Sequence, residues 1–141
     1  MIDKQVLYAR IQEIEDSISR LGEIWKSGKD TFLKDKDLQD ISCYRLLVMI
    51  EASIAICSHL CAKEIHKAPN SYAGCFAILE ENGIIDEILS SKLQRMARFR
   101  NMLVHIYWDV DYALVWEIIC QSLTDVREYI SSIVQRYLSQ P

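Results

Sequence analysis

Leu46-Leu47-Val48-Met49-Ile50-Glu51-Ala52-Ser53-Ile54-Ala55-Ile56-Cys57-Ser58-His59-Leu60 is apolar on nearly every side of a helix. A helix with one apolar stripe lies on a surface, whereas one that is apolar all round is enclosed by others. The stretch therefore predicts a central helix, and the rest of the chain must supply the helices that cover it. Glu51 stands out in this setting, because a carboxylate there needs a partner. Arg45 is six residues away and does not share its face. Each is expected to contact another helix or a second subunit.

Outward from this stretch, the same helix should begin near Asp30 or Asp35 and run to about His66, before Pro69 blocks continuation. Upstream, Leu7, Ile11, Ile14, Ile18, Leu21 and Trp25 form one apolar seam, predicting a first helix from Asp3 to about Lys26 with Gly28 just past its end. Downstream, Asn70 or Ser71 can cap a short helix through about Glu81 that stops at Asn82-Gly83. Asp86 caps a fourth helix that carries Leu89, Leu93, Met96 and Phe99 and ends near Val104. Asp109 or Asp111 opens a last helix to about Leu138, with Leu114, Ile118, Val126, Ile130, Ile133 and Tyr137 among its apolar residues. No alternating strand pattern appears. The expected fold is all-α: four main helices plus a short one in an up-and-down bundle, forming a single domain over 1–141.

Bulk composition agrees. A chain of 141 residues, half of them apolar, can bury a real core. Only 4 Gly and 2 Pro occur, which suits long helices with few turns. No apolar run approaches the ~20 residues of a membrane span, and the N-terminus does not read as a signal peptide. The expectation is a cytoplasmic protein with no membrane partner. The five cysteines, Cys43, Cys57, Cys61, Cys75 and Cys120, read as reduced core residues. A net charge of -4 disfavours a general nucleic-acid coat protein, and DNA is not an expected partner. Yet Lys92, Arg95, Arg98 and Arg100 lie in a stretch free of acids, Ile88 to Trp108, which suits one focused anion site.

Chemistry concentrates in Arg100-Asn101-Met102-Leu103-Val104-His105-Ile106-Tyr107. Arginine grips phosphate by paired hydrogen bonds. Histidine transfers protons near neutrality. Together they point to work on a phosphodiester without metal or cofactor, with RNA as the substrate that supplies its own 2′-hydroxyl nucleophile. Five residues apart on an ideal helix, Arg100 and His105 lie about 140° from each other around the axis. Either the helix loosens near Val104, or the two meet across a dimer axis. The competing reading is that both merely satisfy the last carbonyls of the fourth helix. Lys92, Arg95 and Arg98 would extend an RNA track, or else form a solvated face.

Two further patterns carry less. Asp109-x-Asp111 resembles a metal-binding carboxylate pair but lacks its usual Gly-Ser element, and helix capping explains it. Cys57-x-His59-x-Cys61 with His66 resembles a zinc cluster. On a helix, however, Cys57 and Cys61 share one face while His59 points away, so the expectation is no metal and a core helix with a surface histidine, and Cys75 reads the same way.

The stretch Arg98 to Asp111 resembles the signature of HEPN-domain toxins of the HEPN–MNT (HepT/MntA-type) toxin–antitoxin systems, the HepT-like ribonucleases. The family motif is Arg, a polar residue, three or more positions, His, one residue, Tyr; here these are Arg100, Asn101, His105 and Tyr107. The likeness extends upstream through Pro69 to Tyr72, Phe76 to Leu79, Asn82 to Ile85, and Leu93 to Ala97. It implies a homodimer whose Arg-His motifs line an interfacial cleft, and a metal-independent endoribonuclease of a type II/VII toxin–antitoxin pair. His105 would be the general acid or base. Arg100 would hold the scissile phosphate, and Asn101 would orient the site. Tyr107 would accept AMP from an MNT nucleotidyltransferase antitoxin, adding charge and bulk that repel RNA. Glu51 would either tune the Arg100–His105 site or form an ordinary ion pair. The alternative function is a non-enzymatic, nucleotide-binding helical subunit of a two-component nucleotidyltransferase.

Overall fold

Five aspartate or serine side chains set where the helices start. The computed structural model describes residues 1–105 and 109–139, and of His105 only the backbone. Helix α1 spans Lys4–Lys26, and Asp3 accepts from the Gln5 N–H at its start. Helix α3, Lys36–Leu60, starts from Asp35, which accepts from Asp37 and Leu38. Ser71 caps α4, Tyr72–Glu81, through the Gly74 N–H. Asp86 accepts from Leu89 at the start of α5, Glu87–His105, and Asp111 from Ala113 and Leu114 at the start of α6, Tyr112–Ile133. Each cap satisfies backbone donors that the first turn leaves open.

Of the two starts open to the second long helix, Asp35 is the one used. Gly28, at φ 93°, starts a separate short helix, α2, Lys29–Lys34, before Asp35 restarts the chain as α3. Phe32 is the reason for the detour. It is fully buried, lies against Trp116 at 5.2 Å between ring centroids and meets Tyr112 edge-on, so α2 plugs one end of the bundle. Gln39 donates to the Phe32 carbonyl from the first turns of α3.

The central helix sits where its apolarity predicts. Leu46, Met49, Ile50, Ile56, Cys57 and Leu60 are all fully buried. Residues Lys36–Ile65 are long and apolar enough to cross a membrane, but 56% of the most apolar window is buried by the surrounding helices. α1 packs chiefly on α3 and α4 on α5, while α6 closes the bundle against α1, α3 and α5. Short connections between successive helices suit up-and-down packing. Phe76 on α4 meets Tyr129 on α6 edge-to-face at 5.6 Å, and the Tyr129 hydroxyl donates to the Ser53 carbonyl of α3 at 3.0 Å.

One detail of the apolar seam differs from expectation. In α1 the buried seam ends on Ile24, not Trp25; the indole is half exposed and donates to Cys120 Sγ on α6. A step of three instead of four from Leu21 keeps the seam on the core face. α5 ends on His105 among the described residues, within a residue of the predicted end near Val104. At its C-terminal end α3 widens into a π-turn, Cys61–Ile65, and His66 then adopts left-handed backbone at φ 62°, which ends the helix near the predicted point.

Candidate functional site

Arg100 lies in the C-terminal part of α5, facing α3 and the start of α4. Its Nε donates to Glu51 Oε1 at 2.5 Å. Its guanidinium also covers the Tyr72 ring, with Cζ 5.0 Å from the centroid. The arginine is thus held on one edge by a carboxylate and on one face by an aromatic ring, in a side chain only 20% exposed. Among the described residues no acceptor lies against either Nη atom. That edge keeps the paired donors that match two oxygens of a phosphate.

The two partners of Arg100 border different cavities of about 580 Å³ each, Tyr72 the first and Glu51 the second, while Arg100 itself lines neither. Tyr72, Arg98 and Asn101 line the first, together with Ser58 and Cys75. Glu51 and Arg45 line the second, with Arg10, Glu13 and Tyr44. Asn101 is exposed at the rim of the first cavity, next to Arg100 in sequence and open to a ligand. Arg45 stacks on Tyr44 of its own helix, whereas Glu51 reaches another helix as expected.

The basic residues of α5 border two different cavities. Lys92 and Arg95 line a third cavity, of about 410 Å³, and Lys92 pairs with Asp125 of α6 at 3.6 Å. Burial raises the Asp125 carboxyl above its usual pKa, and the Lys92 charge opposes that shift. Arg98 lines the first cavity instead and reaches back to Gln94. Of the three, Arg98 alone shares a cavity with Asn101.

Two motif positions fall at or beyond the edge of description. The backbone of His105 closes α5, while its side chain and all of Tyr107 lie outside the described residues. With α5 helical throughout, positions 100 and 105 are separated by about 140° in register. Where the His105 imidazole lies relative to Arg100 falls outside the described residues.

Sequence reasoning missed Tyr72 as a site residue. It appeared only inside the resembling stretch Pro69 to Tyr72, and no spacing rule ties it to Arg100, 28 positions on. It also missed the meeting of Cys75 with Cys57 and Cys61. Their Sγ atoms all lie within 4.8 Å of one another and all three residues are buried. His59 does point elsewhere, accepting from the Asp3 N–H at 2.9 Å. Burial pushes the Cys57 and Cys61 thiols up, the latter to about 12. Hydrogen bonding with Cys57 lowers Cys75 to about 7, against the opposing pull of burial.

A family model described as Ribonuclease HepT-like matches residues 14–133. The chain belongs to the HepT-like ribonuclease family. It is 28% identical over 128 residues to the mRNA nuclease HepT of Shewanella oneidensis, across 91% of this chain and 96% of that protein. A putative RNase of Archaeoglobus fulgidus is 32% identical over 93 residues, covering 66% of this chain and 67% of the other. Among solved structures, the tri-AMPylated Shewanella oneidensis HEPN toxin in complex with MNT antitoxin superposes with a TM-score of 0.85 at 28% identity, over 96% of this chain and 99% of that one. The HepT-like fold thus accounts for the whole helical bundle, and the likeness expected from Arg98 to Asp111 extends over nearly all of the chain.

Proposed function

We propose that this chain is the toxin of a two-component toxin–antitoxin pair, a homodimeric endoribonuclease that cuts RNA without metal. The observation that carries the reading is the anchoring of Arg100. Glu51 holds its Nε and Tyr72 its face, so the Nη edge is left for a phosphate beside a cavity lined by Asn101 and Arg98. An arginine fixed in this way offers preorganised charge to the phosphorane-like transition state at no further ordering cost.

The rest of the chemistry follows from residue types. His105 takes the 2′-hydroxyl proton, or gives a proton to the 5′-oxygen that leaves; the expected product is a 2′,3′-cyclic phosphate. Asn101 donates a hydrogen bond that orients the substrate. The helical register of α5 supports a site shared between two subunits, each giving Arg100 to the other's His105. The antitoxin is an MNT-type nucleotidyltransferase that adds AMP to Tyr107, as the AMPylated state of the Shewanella oneidensis toxin suggests. The added phosphate repels RNA beside the anion site.

Cleavage of total RNA by the purified protein in EDTA, beside His105→Ala, tests the reading. Metal-independent cuts with cyclic-phosphate ends that vanish in the variant are expected. Intact RNA with unmodified natural protein would overturn the nuclease and favour a nucleotide-binding subunit, which needs Arg100 but tolerates loss of the histidine.

A further inference from the structure

Three cysteines that the sequence scatters over two helices meet in the core. Cys57 and Cys61 stand one turn apart on the last part of α3, and Cys75 reaches them from the first turns of α4. All three are buried, and their sulfurs lie within 4.8 Å of one another. The Cys61–Cys75 pair is 3.7 Å apart. None of the three forms a disulfide.

A metal with sulfur bonds of about 2.3 Å holds tetrahedrally arranged sulfurs about 3.8 Å apart. Cys61 and Cys75 already have that separation. Cys57 reaches it with a movement of about 1 Å, the scale of a rotamer adjustment. Three thiolates and no carboxylate form a soft donor set, which excludes magnesium and calcium as natural occupants. The cluster lies just beneath the first cavity: buried Cys75 and exposed Ser58 both border it, and Ser58 Oγ lies 3.9 Å from Cys75 Sγ. A small displacement of Ser58 would connect the sulfurs to that cavity and to its water.

We propose that Cys57, Cys61 and Cys75 bind one zinc-class ion, with water from the cavity in the fourth position. Binding converts three thiols to thiolates and releases their protons to solvent. The ion takes no part in phosphodiester cleavage. It ties α4 to the end of α3 across the reversal between His66 and Ser71, a contribution to stability that leaves cleavage in chelator unchanged.

The test is titration of the full-length protein, stripped by chelator and reduced under anaerobic conditions, with Co(II) as a coloured stand-in and then Zn(II). One equivalent of Co(II) should give intense thiolate-to-metal charge-transfer absorption and tetrahedral d–d bands, both abolished by one equivalent of Zn(II). Cys75→Ser should weaken Zn(II) binding by more than the roughly 100-fold that loss of an outer-shell partner costs. Cys43→Ala and Cys120→Ala should leave it unchanged. Should Cys75→Ser fail to fold, Cys61→Ala serves in its place, with circular dichroism as the control. Natural protein that shows no thiolate bands in excess Co(II) overturns the proposal. So does binding that survives in the cluster variants, or that is lost in Cys120→Ala.

Discussion

Arg100 on α5 and Glu51 on α3, 49 positions apart in the chain, form an ion pair through Nε. The pair is partly exposed, with Glu51 43% accessible, so its worth to folding is small, well under about 1 kcal/mol. Its effect is to fix which edge of the guanidinium faces outward. Glu51→Gln should therefore leave the thermal midpoint within a few degrees of the natural protein. RNA cleavage should fall by about 10- to 100-fold, as expected when a catalytic group loses its positioning. Parallel melting curves and single-turnover cleavage check this; a large loss of stability with unchanged cleavage would refute it.

Arg100→Lys keeps the positive charge but removes the planar fork and the stacking on Tyr72. A lysine offers a point charge with no second parallel donor. Cleavage should drop by roughly 100-fold, the scale seen when one donor to a developing charge is removed. Activity within threefold of the natural protein would show that charge alone suffices.

Asp125 gives a pH signature of its own. Burial raises its folded pKa above the ordinary 3.8. The folded state then binds the proton more tightly than the unfolded state, so the contribution to stability is greatest in acid and declines as pH rises from about 3.8 through the raised value. Asp125→Asn should remove that decline. Urea unfolding of both proteins between pH 3 and 6 measures it, and parallel stability curves across that window would contradict the assignment.

Phe32→Ala should be the costliest of these changes. The ring is fully buried between α2 and the start of α6. Losing it removes apolar burial and leaves a cavity, a cost of about 3–5 kcal/mol. Against a typical total of about 5–15 kcal/mol, that much should show plainly in denaturant melts. A change below about 1 kcal/mol would mean that α2 does not plug the bundle.

The helices were readable because their starts are local chemistry. Asp3, Asp35, Ser71, Asp86 and Asp111 each accept from N–H groups two or three residues on. Gly28 was misleading: it closes α1 but also opens α2, and the lone Phe32 has no periodic neighbours to mark a helix. Trp25 and Ile24 both continue a plausible seam, and only packing against α6 decides between them. At the site, Arg100 and Asn101 could be named from their motif. Of its support, Glu51 could be suspected as a charge in an apolar helix that needs a partner, but Tyr72 could not, because it approaches from another helix and no spacing encodes the meeting. The same holds for Cys75, which reaches Cys57 and Cys61 only after the chain reverses between α3 and α4.

The left-handed turn at His66 brings α4 back alongside α3. One consequence is that the motif and the machinery are separable. Grafting Glu87–His105 onto another scaffold would transplant the motif's Arg, Asn and His but neither the carboxylate nor the ring that aims the arginine. Conversely, a relative could keep every motif letter and still be inert if its α4 docked one turn out of place. To judge whether such a homologue is armed, positions 51 and 72 should be inspected along with the motif.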